Sequence, residues 1–118
     1  VDPSTDDLCE VTITAPDADW LADFVRDLVE RRLCAAGHIT TSIRSIYRWQ
    51  GQIYDQPEAV AKLHTRRGRV DEIARLADER HPYEVPCVVA VPFVAGHHHY
   101  LNWVAAESSN SPASSIKE

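Results

Sequence analysis

Cysteine is scarce in this chain: Cys9, Cys34 and Cys87 are the only three, an odd number at long spacings. No CxxC pair occurs, which excludes a zinc knuckle and a thioredoxin-type motif, and a disulfide framework is not expected. A reducing, cytoplasmic setting is the corresponding expectation. Positive charge is also in deficit. Twelve lysines and arginines face eighteen aspartates and glutamates, for a formal charge of −6. Binding to nucleic acid or to an anionic membrane needs a basic face, so neither is expected as a partner. Cationic partners, metal ions included, are compatible with this balance. No apolar run approaches the ~18 residues of a membrane span. Val1 to Glu10 is acidic and has no apolar core of the signal-peptide kind. A P-loop, a dinucleotide fingerprint and a nucleophile–base pair are all missing, so a non-enzymatic protein is expected.

What is present reads as one globular domain. The 118 residues are 44% apolar and 25% charged, enough for a single modest core. Residues 1–7 read as a loose polar end, 8–106 as the domain, and the serine-rich 107–118 as a disordered tail. Leu8 to Ala15 alternates apolar and polar residues, which predicts a strand. Pro16 ends it, and Asp17 is placed to cap a helix. Apolar positions from Leu21 to Ala36 recur at helical spacing, which predicts a helix over 18–36 closed by Gly37 as its C′ residue. His38 to Trp49 alternates again, with Ile39, Ile43, Tyr47 and Trp49 expected on one face. Gln50-Gly51 is a turn signal. Extended structure is expected over 58–65, with Gln52 to Pro57 as a hairpin extension or bulged edge. Val70 to Arg80 predicts a second helix. Two prolines in His81-Pro82-Tyr83-Glu84-Val85-Pro86 predict a stiff extended loop. Cys87 to Val94, nearly all apolar, predicts a central strand buried on both faces. A short closing helix follows Gly96.

The order β-α-β-β-α-β plus a terminal helix is the ferredoxin-like pattern of an α+β fold. Its hairpin is long for so small a sheet, and pairing between copies is the natural remedy.

Five segments carry a resemblance. Thr14-Ala15-Pro16-Asp17, Leu33 to Ile39, Ser45-Ile46-Tyr47-Arg48-Trp49-Gln50-Gly51, His81 to Pro86, and Tyr100-Leu101-Asn102-Trp103-Val104 are similar, in order and spacing, to the CutA family of divalent-cation (copper) tolerance proteins. The resemblance covers about 8–106. It implies a ferredoxin-like fold in a tight PII-like homotrimer, with hairpin strands paired between neighbours. A signalling role has also been supposed for such trimers. The metal ligands proposed in the family fall here on Ile13, Arg80 and Cys87, where members have a cysteine, another residue and an acid. That ligand set is not carried over. His64 stands where a lysine is usual. Gly96-His97-His98-His99-Tyr100-Leu101 stands where members have Gly-Asp-x-Asp-Tyr-Leu.

Several residues are candidates for binding. His97, His98 and His99 could supply imidazoles to Cu²⁺ or Zn²⁺, pooled between chains near a three-fold axis, or could be a solvated helix entry. No metal is required as a resident cofactor on this reading. His81, Tyr83 and Glu84 could line an inter-subunit cleft, or His81 could simply be hydrogen-bonded and Tyr83 packed. Cys87 is either a small core residue or a thiolate ligand paired with His81. Trp49 with Tyr47 could stack on a ligand or pack in the trimer. Arg66, Arg67 and Arg69 form the only basic cluster and could hold a phosphate or carboxylate. The alternative to metal tolerance is therefore a PII-like module binding a small anion in that cleft.

Overall fold

The computed structural model of the chain describes residues 7–109. Its elements are β1 (Leu8–Ala15), α1 (Ala18–Glu30), β2 (Ala36–Trp49), β3 (Gln52–Arg66), a 3₁₀ turn (Arg67–Arg69), α2 (Val70–Arg80), β4 (Val88–Pro92) and α3 (His98–Glu107). The four strands form one antiparallel sheet in the order β2-β3-β1-β4. This is the expected ferredoxin-like α+β layout. No helix among the described residues is long and apolar enough to cross a membrane.

The core follows from the alternation in β1. Cys9, Val11, Ile13 and Ala15 are buried and meet Phe24, Leu28, Leu63, Ile73 and Ala77 from α1, β3 and α2. Phe24 is fully buried and stacked on Trp20 at 5.1 Å, and burial of such a ring stabilises by about 1.5–3 kcal/mol. A second cluster gathers Leu8, Ala35, Leu101, Val104 and Ala105 around α3, with Phe93 and Tyr100 beside them.

The Asp17 carboxylate accepts the Asp19 N–H at 3.1 Å and so starts α1. The helix stops six residues short of the predicted Ala36. Arg32 takes φ +63°, while its N–H reaches Val29 O and that of Leu33 reaches Leu28 O, a Schellman ending. Arginine rather than glycine occupies this left-handed position because its guanidinium is held elsewhere, on Ala106 O at 2.9 Å and Ser109 O at 3.2 Å. Gly37 lies inside β2 instead of capping α1. A Cβ there would fall 2.4 Å from Val25 Cγ1, so the strand passes α1 too closely for any side chain.

β2 carries one residue more than β3 between the pairs Thr40↔Val60 and Ile43↔Glu58. Ser42, at φ +65°, sits in this bulge. A one-residue bulge exchanges the faces of everything beyond it. Ile39, paired with Ala61, packs on the core. Ile43, Ser45, Tyr47 and Trp49 therefore lie on the opposite face from Ile39, not on the shared face that simple alternation predicts. Beyond the bulge β3 is continuous from Gln52, and Gln50 and Gly51 at φ +51° and +80° form the two-residue turn. The hairpin extends the described chain to 50 × 26 × 22 Å.

β4 also departs from expectation. It spans five residues at the sheet edge rather than eight at its centre, and Val89 and Val91 are more than half exposed. Of its residues only Val88 packs against the core, partly buried; Val89 to Pro92 are exposed on both sides of the strand. At the chain end, Glu107 still belongs to α3 and Ser108 is buried, its N–H and hydroxyl both donating to Val104 O. Residues 1–6 and 110–118 of the expected loose ends lie outside the described residues.

Candidate functional site

The bulge puts Tyr47 and Trp49 on the sheet face away from α1 and α2. The loop after α2 lies across that face. Between them is a cleft of about 600 Å³, within the range of small-molecule sites. The hairpin supplies Tyr47, Trp49, Tyr54 and Gln56; the body supplies Thr14 and Glu58; the loop supplies Tyr83, Glu84 and Cys87. Tyr47 and Tyr54 stack at 5.4 Å. The Gln56 amide donates to the Tyr47 hydroxyl. Tyr83 donates its hydroxyl to Glu58 Oε2 at 2.7 Å. Burial and this bond to Glu58 push the Tyr83 phenol well above its ordinary range, so it remains a proton donor. Glu58 is buried at 6% exposure, whereas Glu84 is exposed. No lysine, arginine or histidine is among the described lining residues.

Trp49, Tyr83, Glu84 and Cys87 thus share one cleft, and His81 does not line it. His81 is buried. Its Nε2–H donates to Thr14 O at 2.7 Å and its Nδ1 accepts the Tyr83 N–H at 2.9 Å. With both nitrogens used, its role is to seat the loop on the end of β1, against the edge of Trp20. Cys87 is exposed rather than a core residue, while Cys9 and Cys34 are buried. Burial raises both buried thiols, Cys34 to about 12, and Arg67 partly offsets the rise at Cys9.

The arginine cluster is directed elsewhere. Arg66 donates to Ala105 O and Arg69 to Ser108 O, each at 2.9 Å. Together with Arg32 they satisfy the carbonyls at the C-terminus of α3, where positive charge is favoured. Arg67 lines a second cavity of about 250 Å³ beside Cys9. His97 caps α3, its Nδ1 accepting the His99 N–H at 3.2 Å. The His97 and His98 rings lie 5.5 and 5.0 Å from that of His99.

Sequence reasoning missed one cluster. His64 bonds Glu10 Oε2 at 3.0 Å and the Tyr100 hydroxyl at 2.5 Å, and its ring meets His38 and Phe93 edge-on. The carboxylate only accepts, so Nε2 carries the proton and Nδ1 receives the phenol. The only signal was the departure from lysine at this position.

A family model described as "CutA1 divalent ion tolerance protein" matches residues 9–107. The chain belongs to the CutA1 family. It is 34% identical over 94 residues to the divalent-cation tolerance protein CutA of Thermus thermophilus, covering 80% of this chain and 91% of that one. It is 35% identical over 92 residues to a CutA homolog of Xenopus laevis, covering 78% of this chain but only 61% of the relative. The chain spans about half of the mouse CutA protein. Among solved structures, Cut A1 from Thermus thermophilus superposes with a TM-score of 0.83 at 31% identity, over 86% of this chain and 99% of that one. CutA1 from Oryza sativa gives 0.84 at 27% identity, over 92% and 100%.

The CutA1 name raises the question of an ion, and the described donors of one chain do not gather into a site for it. Ile13 is fully buried in the core. Arg80 pairs with Asp27 at 2.6 Å and lies over the Phe24 ring at 4.9 Å. Among the described residues no three His, Cys, Asp or Glu side chains converge.

Proposed function

We propose that this chain is a non-enzymatic, homotrimeric, cytoplasmic protein of divalent-cation tolerance, in which any bound Cu²⁺ or Zn²⁺ takes donors from more than one subunit. The observation that carries the reading is the outer half of the hairpin. It stands clear of the core with Ile46 and Ile53 at 64% and 66% exposure. An apolar surface of that kind on a strand pair suits burial against further copies. His97, His98 and His99 then become the first donors to consider, because neutral imidazole is a good ligand and copies around an axis can pool what one chain holds singly. The buried Cys9 and Cys34 thiols and the exposed Cys87 thiol suit a reducing compartment.

The anionic-ligand alternative has less support. Arg66 and Arg69 are engaged at α3, and the cleft carries two carboxylates and no base.

Calorimetric titration of the reduced protein with Cu²⁺ and with Zn²⁺, in a weak competing chelator, tests the proposal. Saturable binding at one-third ion per chain, lost on joint replacement of His97, His98 and His99 by alanine, is expected. Binding should also be lost on acidification, as imidazoles protonate. Heat no greater than the chelator's own would leave tolerance without a bound ion.

A further inference from the structure

We propose that the cleft between the hairpin and the Tyr83–Cys87 loop binds an organic cation, an ammonium or guanidinium group bearing apolar substituents. The inference goes beyond the divalent-ion reading, since it uses a different site and different donors.

Three features of the cleft point the same way. The first is charge. Glu58 and Glu84 line the cleft with no basic residue beside them. Glu58 is nearly buried, and its described partner is a neutral phenol on Oε2. No fully buried polar side-chain atom among the described residues lacks a partner. Oε1 is therefore not fully buried, and Glu58 is among the residues lining the cleft. Burying a carboxylate without a counter-charge is costly, and a cation in the cleft supplies one. The second is the wall. Trp49 and the stacked Tyr47–Tyr54 pair present π systems, whose faces attract cations of diffuse charge. The third is what the cleft lacks. A hard metal ion needs several converging oxygen or nitrogen donors, and no three converge here. An organic cation needs only a carboxylate, aromatic surface and room, and the 600 Å³ cleft has all three.

The test is calorimetric titration of the full, assembled protein in excess chelator, so that metal plays no part. Benzyltrimethylammonium is the probe, with benzyl alcohol as neutral and benzoate as anionic comparison. We expect saturable binding of the cation, with both comparisons weaker by about tenfold or more. Trp49→Ala and Glu58→Gln should each weaken the cation by about tenfold. Trp49 is partly exposed, so its replacement leaves the fold intact, which circular dichroism checks. Binding should also weaken with added salt. Benzoate binding as tightly as the cation, no saturable binding, or binding unchanged by Trp49→Ala would each overturn the proposal. None of these outcomes bears on the Cu²⁺ and Zn²⁺ titration.

Discussion

The body of the domain and the outer half of its hairpin belong to one sheet yet obey different rules. In the body, every inward position of β1 is buried, and α1 and α2 close over it. Beyond the bulge at Ser42 the same two strands continue with Ile46, Ile53, Trp49 and Tyr54 open to solvent. Around β1 the body covers its own apolar positions, while Val89 and Val91 at the β4 edge stay more than half exposed. The hairpin is held by ladder bonds, the Tyr47–Tyr54 stack and the exposed Arg44–Asp55 pair, and it offers its apolar residues outward. The radius of gyration, 15.1 Å, exceeds the roughly 13 Å of a compact chain of this size, and the hairpin accounts for the excess. A sheet can thus cover its β1 core at one end and leave apolar residues uncovered at the other, with one inserted residue marking the boundary.

Substitutions should separate the two ends. Phe24→Ala in the body should cost about 3–5 kcal/mol in chemical denaturation, from lost transfer energy and the cavity left behind. Ile46→Lys combined with Ile53→Lys should leave the circular dichroism spectrum of the domain unchanged while abolishing association in light scattering. Equal loss of folding from both would erase the distinction. Gly37→Ala should cost about 1–3 kcal/mol by overpacking against Val25 and Leu63, measured in the same denaturation series.

A smaller effect depends on pH. The Arg80 guanidinium, with help from Arg31, holds the Asp27 carboxyl below its ordinary range. A carboxyl lowered in the folded state adds stability above its unfolded pKa of 3.8, and that part is lost as pH falls through the folded value. Asp27→Asn should therefore flatten the acid limb of a stability–pH profile and leave the neutral-to-alkaline side parallel to wild type. The opposite sign holds for Tyr83, whose raised phenol should lose stability as pH climbs above its unfolded value of 10.0. Gln50→Asn, at a left-handed turn position in the exposed hairpin tip, should gain less than about 1 kcal/mol.

Much of the fold is legible in the sequence because local chemistry decides it. Asp17 reads as a cap and caps α1; Val70 to Arg80 reads as a helix and is α2; Gln50-Gly51 reads as a turn and turns. The departures come where a distant partner decides. Arg32 ends α1 in a conformation that favours glycine because α3, more than seventy residues later, holds its guanidinium. Ser42 forms a bulge that no composition signal marks. The apolar run at β4 has the same pattern whether its second side meets a helix, solvent or another chain. The cleft divides similarly. Trp49, Tyr83 and Glu84 are conspicuous as residues and do meet, whereas Arg66 and Arg69 resemble an anion site until the carbonyls of α3 are seen beneath them.

The most direct test is the mass of the reduced protein in solution, by light scattering at micromolar concentration. A hairpin built for further copies predicts three times the 13.3 kDa chain mass, reduced to one by the Ile46→Lys/Ile53→Lys pair. A monomeric wild-type chain would contradict the account, because the exposed hairpin face would then have nothing to cover it.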